Sequence, residues 1–197
     1  MLLARLTALV LCRPASVYSL TCGCTLILSG AVADVVGART MYLVGTFLQS
    51  AFTLACGLSK TSIQLIVFRA LAGVAIAFCL PSAVSLIMTY FPAGRRRNFA
   101  FGTMGGGQPL GFSIGLVMGG ALTDTVGWQV GLYLAAGINS ILFLLALFGL
   151  PELKRQSPLT FARLKREVDW IGAFLLSTSL ALLLYVFAYV LKRMTVR

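Results

Sequence analysis

Arg69 is the one charged side chain inside an otherwise apolar stretch, Leu65-Ile66-Val67-Phe68-Arg69-Ala70-Leu71-Ala72-Gly73. A guanidinium at hydrocarbon depth costs several kcal/mol unless it faces a wet cavity or a partner, so it marks a place where charge or a polar solute is handled. A second reading has Arg69 snorkelling from a helix end to the headgroups, because Lys60 and Thr61 lie only about two turns away. A second constellation is Gly30, Asp34, Gly37 and Arg39, a short polar hinge between two apolar runs. A carboxylate closing one helix and a cation opening the next can each reach water or a neighbouring helix terminus. Gly37 tolerates the positive φ of a tight reversal, and Gly30 lets two helices approach closely. A third pattern is Gly107, Gly111, Gly115 and Gly119, repeated every four residues and followed by Gly120. On a helix these form a slowly turning groove that a second helix can enter to backbone contact distance.

The elements that carry these residues belong in a bilayer. Of the 197 residues 59% are hydrophobic and 11% charged, too little polar surface to cover a water-soluble globule. A net charge of +11 would suggest nucleic acid in a soluble chain. Here the cations sit in short connections between apolar runs, which points to membrane orientation and anionic lipid, with no nucleic acid as a partner. There is no histidine, and Cys12, Cys22, Cys24, Cys56 and Cys79 read as small core hydrophobes. Cys22 and Cys24 stand about 200° apart on a helix and cannot chelate together, so no metal is expected.

Met1 to Cys12 is apolar, interrupted by Arg5 and closed by Arg13-Pro14. At about 18 Å it is too short to span, and it reads as an atypical N-terminus, residues 1–14. Six charge-poor runs follow: Ala15 to Ala33, Met41 to Leu58, Ile63 to Tyr90, Phe99 to Leu122, Gly127 to Leu150 and Trp170 to Leu191. Each reaches spanning length. Residues 15–150 thus form five spans, 151–169 a basic loop, 170–191 a sixth span and 192–197 a tail. The third run is long enough to predict a tilted helix bent near Pro81. Alternate connections carry Arg39, then Arg95-Arg96-Arg97, then Lys154, Arg155, Arg163, Lys165 and Arg166, against Lys60 alone in the others. The positive-inside rule places the first, third and fifth connections in the cytoplasm. The cationic tail from Lys192 to Arg197 breaks that pattern.

With these residues in view, the chain resembles the major facilitator superfamily of transporters. The hinge is similar to the G-x-x-x-D-x-x-G-[RK]-[RK] loop between that family's spans two and three, with Val35 and Ala38 where further cations are usual. Arg69 and Gly73 resemble its R-x-x-x-G motif, which the family links to proton coupling, with Ala72 in place of the usual glutamine. Gly115-Leu116-Val117-Met118-Gly119-Gly120 is similar to the G-P-x-x-G-G motif of drug:proton antiporters, with Leu116 where proline belongs; Pro109, earlier in the run, offers a different bend. Thr123-Asp124-Thr125-Val126-Gly127-Trp128, Pro151-Glu152 and Asp169-Trp170-Ile171-Gly172 match further ordered motifs, the last resembling the extra central span of fourteen-span, aminotriazole-resistance-type fungal members. The resemblance implies an all-α polytopic membrane protein whose six runs correspond to family spans two to seven, leaving span one and the second half outside this chain.

What the resemblance implies for function is a proton-coupled exporter of small amphipathic compounds, or the N-terminal portion of one, with the bilayer, protons and such a solute as partners; the plasma membrane is expected ahead of a vacuolar or other internal membrane. A different class is a non-transporting membrane fragment that associates with other spans, or with itself, through the glycine groove. An enzyme is not expected: no nucleophile–base pair, metal cluster or cofactor-binding loop is visible, and Gly105-Gly106-Gly107 lacks the lysine of a phosphate loop.

Overall fold

The computed structural model describes residues 2–150 and, beyond them, helical positions 172, 175, 177–179, 182, 183 and 186; side chains are described from Ser16 onward, Asp124 excepted. Five helices follow one another: α1 Leu2–Val36, α2 Ala38–Leu58, α3 Ser62–Tyr90, α4 Arg95–Thr125 and α5 Trp128–Gly149. No strand occurs among the described residues. In lipid every backbone N–H and C=O must be satisfied within its own segment, and helices alone achieve this without closing a barrel. Hydroxyls obey the same demand. Thr21, Thr25, Ser29, Thr46, Thr53 and Ser82 each donate to the carbonyl four residues back.

The punctuation between helices is glycine, proline and one cap. Gly37, Gly94 and Gly127 each stand immediately before a helix with φ of 102°, 149° and 106°, a region that L side chains rarely adopt. Phe91 ends α3 next to Pro92, which cannot continue a helix. Thr61 caps α3 by accepting from the Gln64 N–H, while Gln64 Oε1 accepts from the Lys60 N–H, a near-reciprocal box.

Two boundaries differ from the sequence reading. The N-terminal stretch set apart by Arg13-Pro14 runs without a break into α1, of which Ser16–Val36 is the part long and apolar enough to cross a membrane. Arg95, Arg96 and Arg97 form the first turn of α4 rather than a loop, since Gly94 already supplies the chain reversal. The basic loop 151–169 and the tail lie outside the described residues, and so does most of the sixth run.

The α3 helix is the hub. It packs extensively on α1 and on α2, α2 also packs on α5, and α4 lies at the edge against α5. Along α1 and α3 the contacts advance together: Thr21 meets Gly73, and further on Gly30 meets Pro81, so these helices run parallel. Between α2 and α5 the contacts run oppositely. Phe47 packs on Phe143 with ring centroids 5.6 Å apart, Ser50 Oγ lies 2.6 Å from Ser140 Oγ, and the Tyr133 hydroxyl donates to the Gly57 carbonyl at 2.9 Å.

Four helices among the described residues meet the length and apolarity of a span: Ser16–Val36, α2, α3 and α5. The glycines of α4, with three arginines in its first turn, dilute its apolar character. Its direction is nevertheless fixed by its neighbours. Three residues join α2 to α3, which returns along it, and α5 also runs against α2. The chain must therefore come back between the end of α3 and the start of α5, and the 31 residues of α4 reach about 46 Å. The outward faces are apolar, with Ile63, Phe148 and Val117 at 76%, 84% and 74% exposure, as a lipid solvent requires.

The helices touch most closely at isolated glycines. A Cβ on Gly73 would overlap the Thr21 hydroxyl and sit 2.5 Å from the Tyr18 carbonyl; one on Gly45 would sit 2.7 Å from Cys79 Sγ; one on Gly57 would sit 2.6 Å from the Tyr133 ring. At Gly30 the nearest atom, Pro81 Cβ, is 3.8 Å away, ordinary contact. Among the described residues Gly107, Gly111, Gly115, Gly119 and Gly120 meet nothing within 4 Å, so the groove they form receives no side of α1, α2, α3 or α5. Substitution Gly73→Ala is therefore expected to destabilise the protein in detergent by about 1–3 kcal/mol. Gly115→Ala, which adds a helix-favouring residue in open space, should leave thermal unfolding unchanged or raise its midpoint.

Candidate functional site

Arg69 is half-buried about two turns into α3, where α1 and α2 converge on it. Tyr18 of α1 and Cys56 of α2 lie within electrostatic range of it. Gln49 of α2 donates from Nε2 to the Tyr18 hydroxyl at 3.5 Å, at the long limit of a hydrogen bond. Gln49 Oε1 is buried and accepts no hydrogen bond from the described residues. Such a buried, unmet acceptor is costly in an apolar interior unless a solute or water satisfies it. The three side chains thus offer a permanent cation, a phenol able to donate or accept, and an open acceptor.

Local packing explains how these groups meet. Gly73 lies one turn beyond Arg69 on the same face of α3, and its missing side chain lets the Tyr18 carbonyl and Thr21 press against the α3 backbone. The small residues Ala72, Ala75 and Ala77, at 2%, 1% and 0% exposure, continue that dense seam. Spacing in the sequence pointed to Arg69 and Gly73 but not to Tyr18 or Gln49. The available signal was the rarity of a glutamine in mid-span, which marks a polar site by the same logic that marks Arg69.

The hinge motif stands apart from this cluster. Asp34 is exposed near the end of α1, and Arg39 is half-buried in the first turn of α2. Gly37 adopts the positive φ expected of it and is the only residue between the two helices. Asp34 lies about 24 Å along α1 from Tyr18, so the hinge and the Arg69 cluster occupy opposite ends of the bundle. The α4 glycines join neither group. Among the described residues no set of side chains has the composition of a metal site.

The profile of the Major Facilitator Superfamily matches residues 13–195, and the chain belongs to that family of membrane transporters, not to an enzyme family. It is 44% identical to MFS-type transporter 1 of Pyricularia oryzae over 95% of this chain and 35% of that protein. It is 35% identical to a puromycin resistance protein of Streptomyces alboniger, over 87% of this chain and 33% of that one. Among solved structures, a crystal structure of a peptide transporter in complex with sulfate superposes with a TM-score of 0.66 at 25% identity, over 88% of this chain and 38% of the other. The chain spans about a third of the length of the curated relatives it matches.

Double-mutant cycles separate the polar contacts by strength. The short Ser50–Ser140 bond should show a coupling of about 1 kcal/mol, and the long Tyr18–Gln49 bond about 0.5 kcal/mol or less, measured by unfolding in detergent with Ser→Ala, Tyr18→Phe and Gln49→Leu. A larger coupling for Tyr18–Gln49 would mean that the pair is held more tightly than its geometry implies.

Proposed function

We propose that this chain forms part of a proton-coupled exporter of small amphipathic compounds, of the fourteen-span drug:proton antiporter type, in the plasma membrane. The observation that carries the reading is the half-buried guanidinium of Arg69 on the same three-helix packing as the Gln49–Tyr18 pair and the open acceptor of Gln49, inside a bundle whose outward faces are lipid-like. A guanidinium so placed keeps a polar path hydrated and sets the potential felt by a proton or a cationic solute. Support for the substrate class comes from the puromycin resistance protein and from a multidrug resistance protein of Bacillus subtilis, 28% identical over 79% of this chain. The fungal origin of the Pyricularia oryzae relative agrees with the fourteen-span fungal resemblance.

Alternating access needs two halves that rock about a central site. Arg69 and its neighbours furnish one wall of such a site and, within the apolar runs, no titratable carboxylate. A second reading, an associating membrane fragment, draws on the α4 glycines: none of them meets a neighbour among the described residues, and their groove would accept a helix from another half or a second copy. Both readings place Arg95 to Arg97 and the Lys154 to Arg166 loop in the cytoplasm. A single cysteine placed at Ala93 is expected to resist membrane-impermeant maleimide in intact cells and to react after permeabilisation; labelling in intact cells reverses the orientation.

The functional test is dye efflux driven by a pH gradient in vesicles, with this chain co-inserted with the remaining two thirds of the Pyricularia oryzae relative. Efflux is expected only when both pieces are present and should fall at least about tenfold with Arg69→Ala, a loss of about 1.4 kcal/mol or more. Efflux by this chain alone, abolished by Arg69→Ala, would show that one wall suffices. Efflux unaffected by Arg69→Ala would remove the assigned role of the arginine.

A further inference from the structure

We propose that the groove between the end of α3 and the start of α4 holds one anionic phospholipid, its phosphate on Arg95 and Arg96 and an acyl chain along Phe91, Phe99 and Ala100. The groove is a shallow, open one of about 670 Å³, lined by Phe91, Arg95, Arg96, Phe99, Ala100 and Thr103. Its composition is that of an amphiphile's mould: three apolar side chains beside two exposed guanidiniums. Phe99 is 73% exposed, a large apolar ring left bare beside the cations.

Charge complementarity names the headgroup. The sequence contains no carboxylate between Asp34 and Asp124, so the arginine triplet has no acidic neighbour along α2, α3 or the first turns of α4; Asp34, exposed at the end of α1, is a single carboxylate at that end of the bundle against three arginines. The triplet also occupies the first turn of a helix, where the macrodipole is positive and disfavours cations. Gly94 provides no side-chain cap, so the first-turn N–H groups add their own demand for an acceptor. The guanidiniums and the uncapped helix start therefore place positive potential at one point, and a phosphodiester answers both. Arg97, half-buried, is directed instead over the Phe101 ring, 5.8 Å from its centroid, which leaves Arg95 and Arg96 as the pair at the groove. The apolar walls select a lipid over a soluble phosphate, since an inorganic anion leaves Phe91 and Phe99 uncovered.

The site faces the cytoplasmic leaflet on the orientation proposed above, where anionic lipids concentrate. Binding in detergent reads the groove without reference to that orientation, so the two can fail separately. The experiment is native mass spectrometry of the full chain in non-ionic detergent, with equimolar phosphatidylglycerol and phosphatidylcholine, and inorganic phosphate in a parallel sample. One phosphatidylglycerol per chain is expected to be retained in preference to phosphatidylcholine. Removing each arginine should weaken retention about fivefold, so Arg95→Gln with Arg96→Gln weakens it about 25-fold. Arg95→Lys with Arg96→Lys should keep most of it, which guards against misfolding, and Phe99→Gln should reduce it without altering the thermal midpoint. Lys165→Gln with Arg166→Gln should leave it unchanged. Equal retention of the two lipids, loss through the Lys165 and Arg166 changes instead, or phosphate held as tightly as the lipid would each overturn the proposal.

Discussion

The contact on which the bundle depends is the seating of α1 against the bare backbone of α3 at Gly73. Within a bilayer, helices gain little from burying apolar surface, because the lipid tails they leave are as apolar as the side chains they meet. Cohesion comes from close packing, and at Gly73 the approach leaves no room even for a methyl group. From this one seat follow the parallel course of α1 and α3 and the placing of Tyr18 one turn from Arg69 along the α3 face. Gln49 then reaches Tyr18 from α2, which is itself drawn onto α3 at Gly45. The polar cluster is thus a product of backbone proximity at two glycines rather than of strong bonds among its own members.

The α4 helix follows a different logic. Its glycines provide no inward contact, its first turn is cationic, and it lies at the margin of the bundle, held mainly by α5. Direction, not hydropathy, makes it a crossing element: α3 and α5 both run against α2, so the chain has to return between them.

Much of this architecture was legible in the residues. The runs beginning at Met41, Ile63 and Gly127 lie within three residues of the starts of α2, α3 and α5, because glycine, proline and charge punctuate a chain that lipid otherwise forces into helix. The family was legible too, through Gly30, Asp34, Gly37, Arg39 and Arg69 in order. The close contacts were not. A four-residue repeat shows which glycines share a face but not whether a partner covers that face, and the glycines that do admit neighbours, Gly45, Gly57 and Gly73, form no repeat on one helix. The start of α4 was misplaced because cations suggested a loop, whereas Gly94 had already made the turn. Tyr18 looks ordinary in the sequence, and Gln49 is marked only by the rarity of a glutamine in mid-span; their pairing across α1 and α2 is visible only in the fold.

The α2–α5 seam has a mechanical consequence. Phe47, Ser50 and Gly57 advance along α2 by three and then seven residues, and Phe143, Ser140 and Tyr133 retreat along α5 by the same steps. A ring stack, a hydroxyl pair and a tyrosine lodged against a glycine therefore share a single register. Sliding one helix past the other by even one residue breaks all three at once and drives the Tyr133 ring into a neighbour bulkier than Gly57. The pair is keyed against shear, and the glycine turns at Gly37, before α2, and at Gly127, before α5, are joints about which it can tilt as a unit.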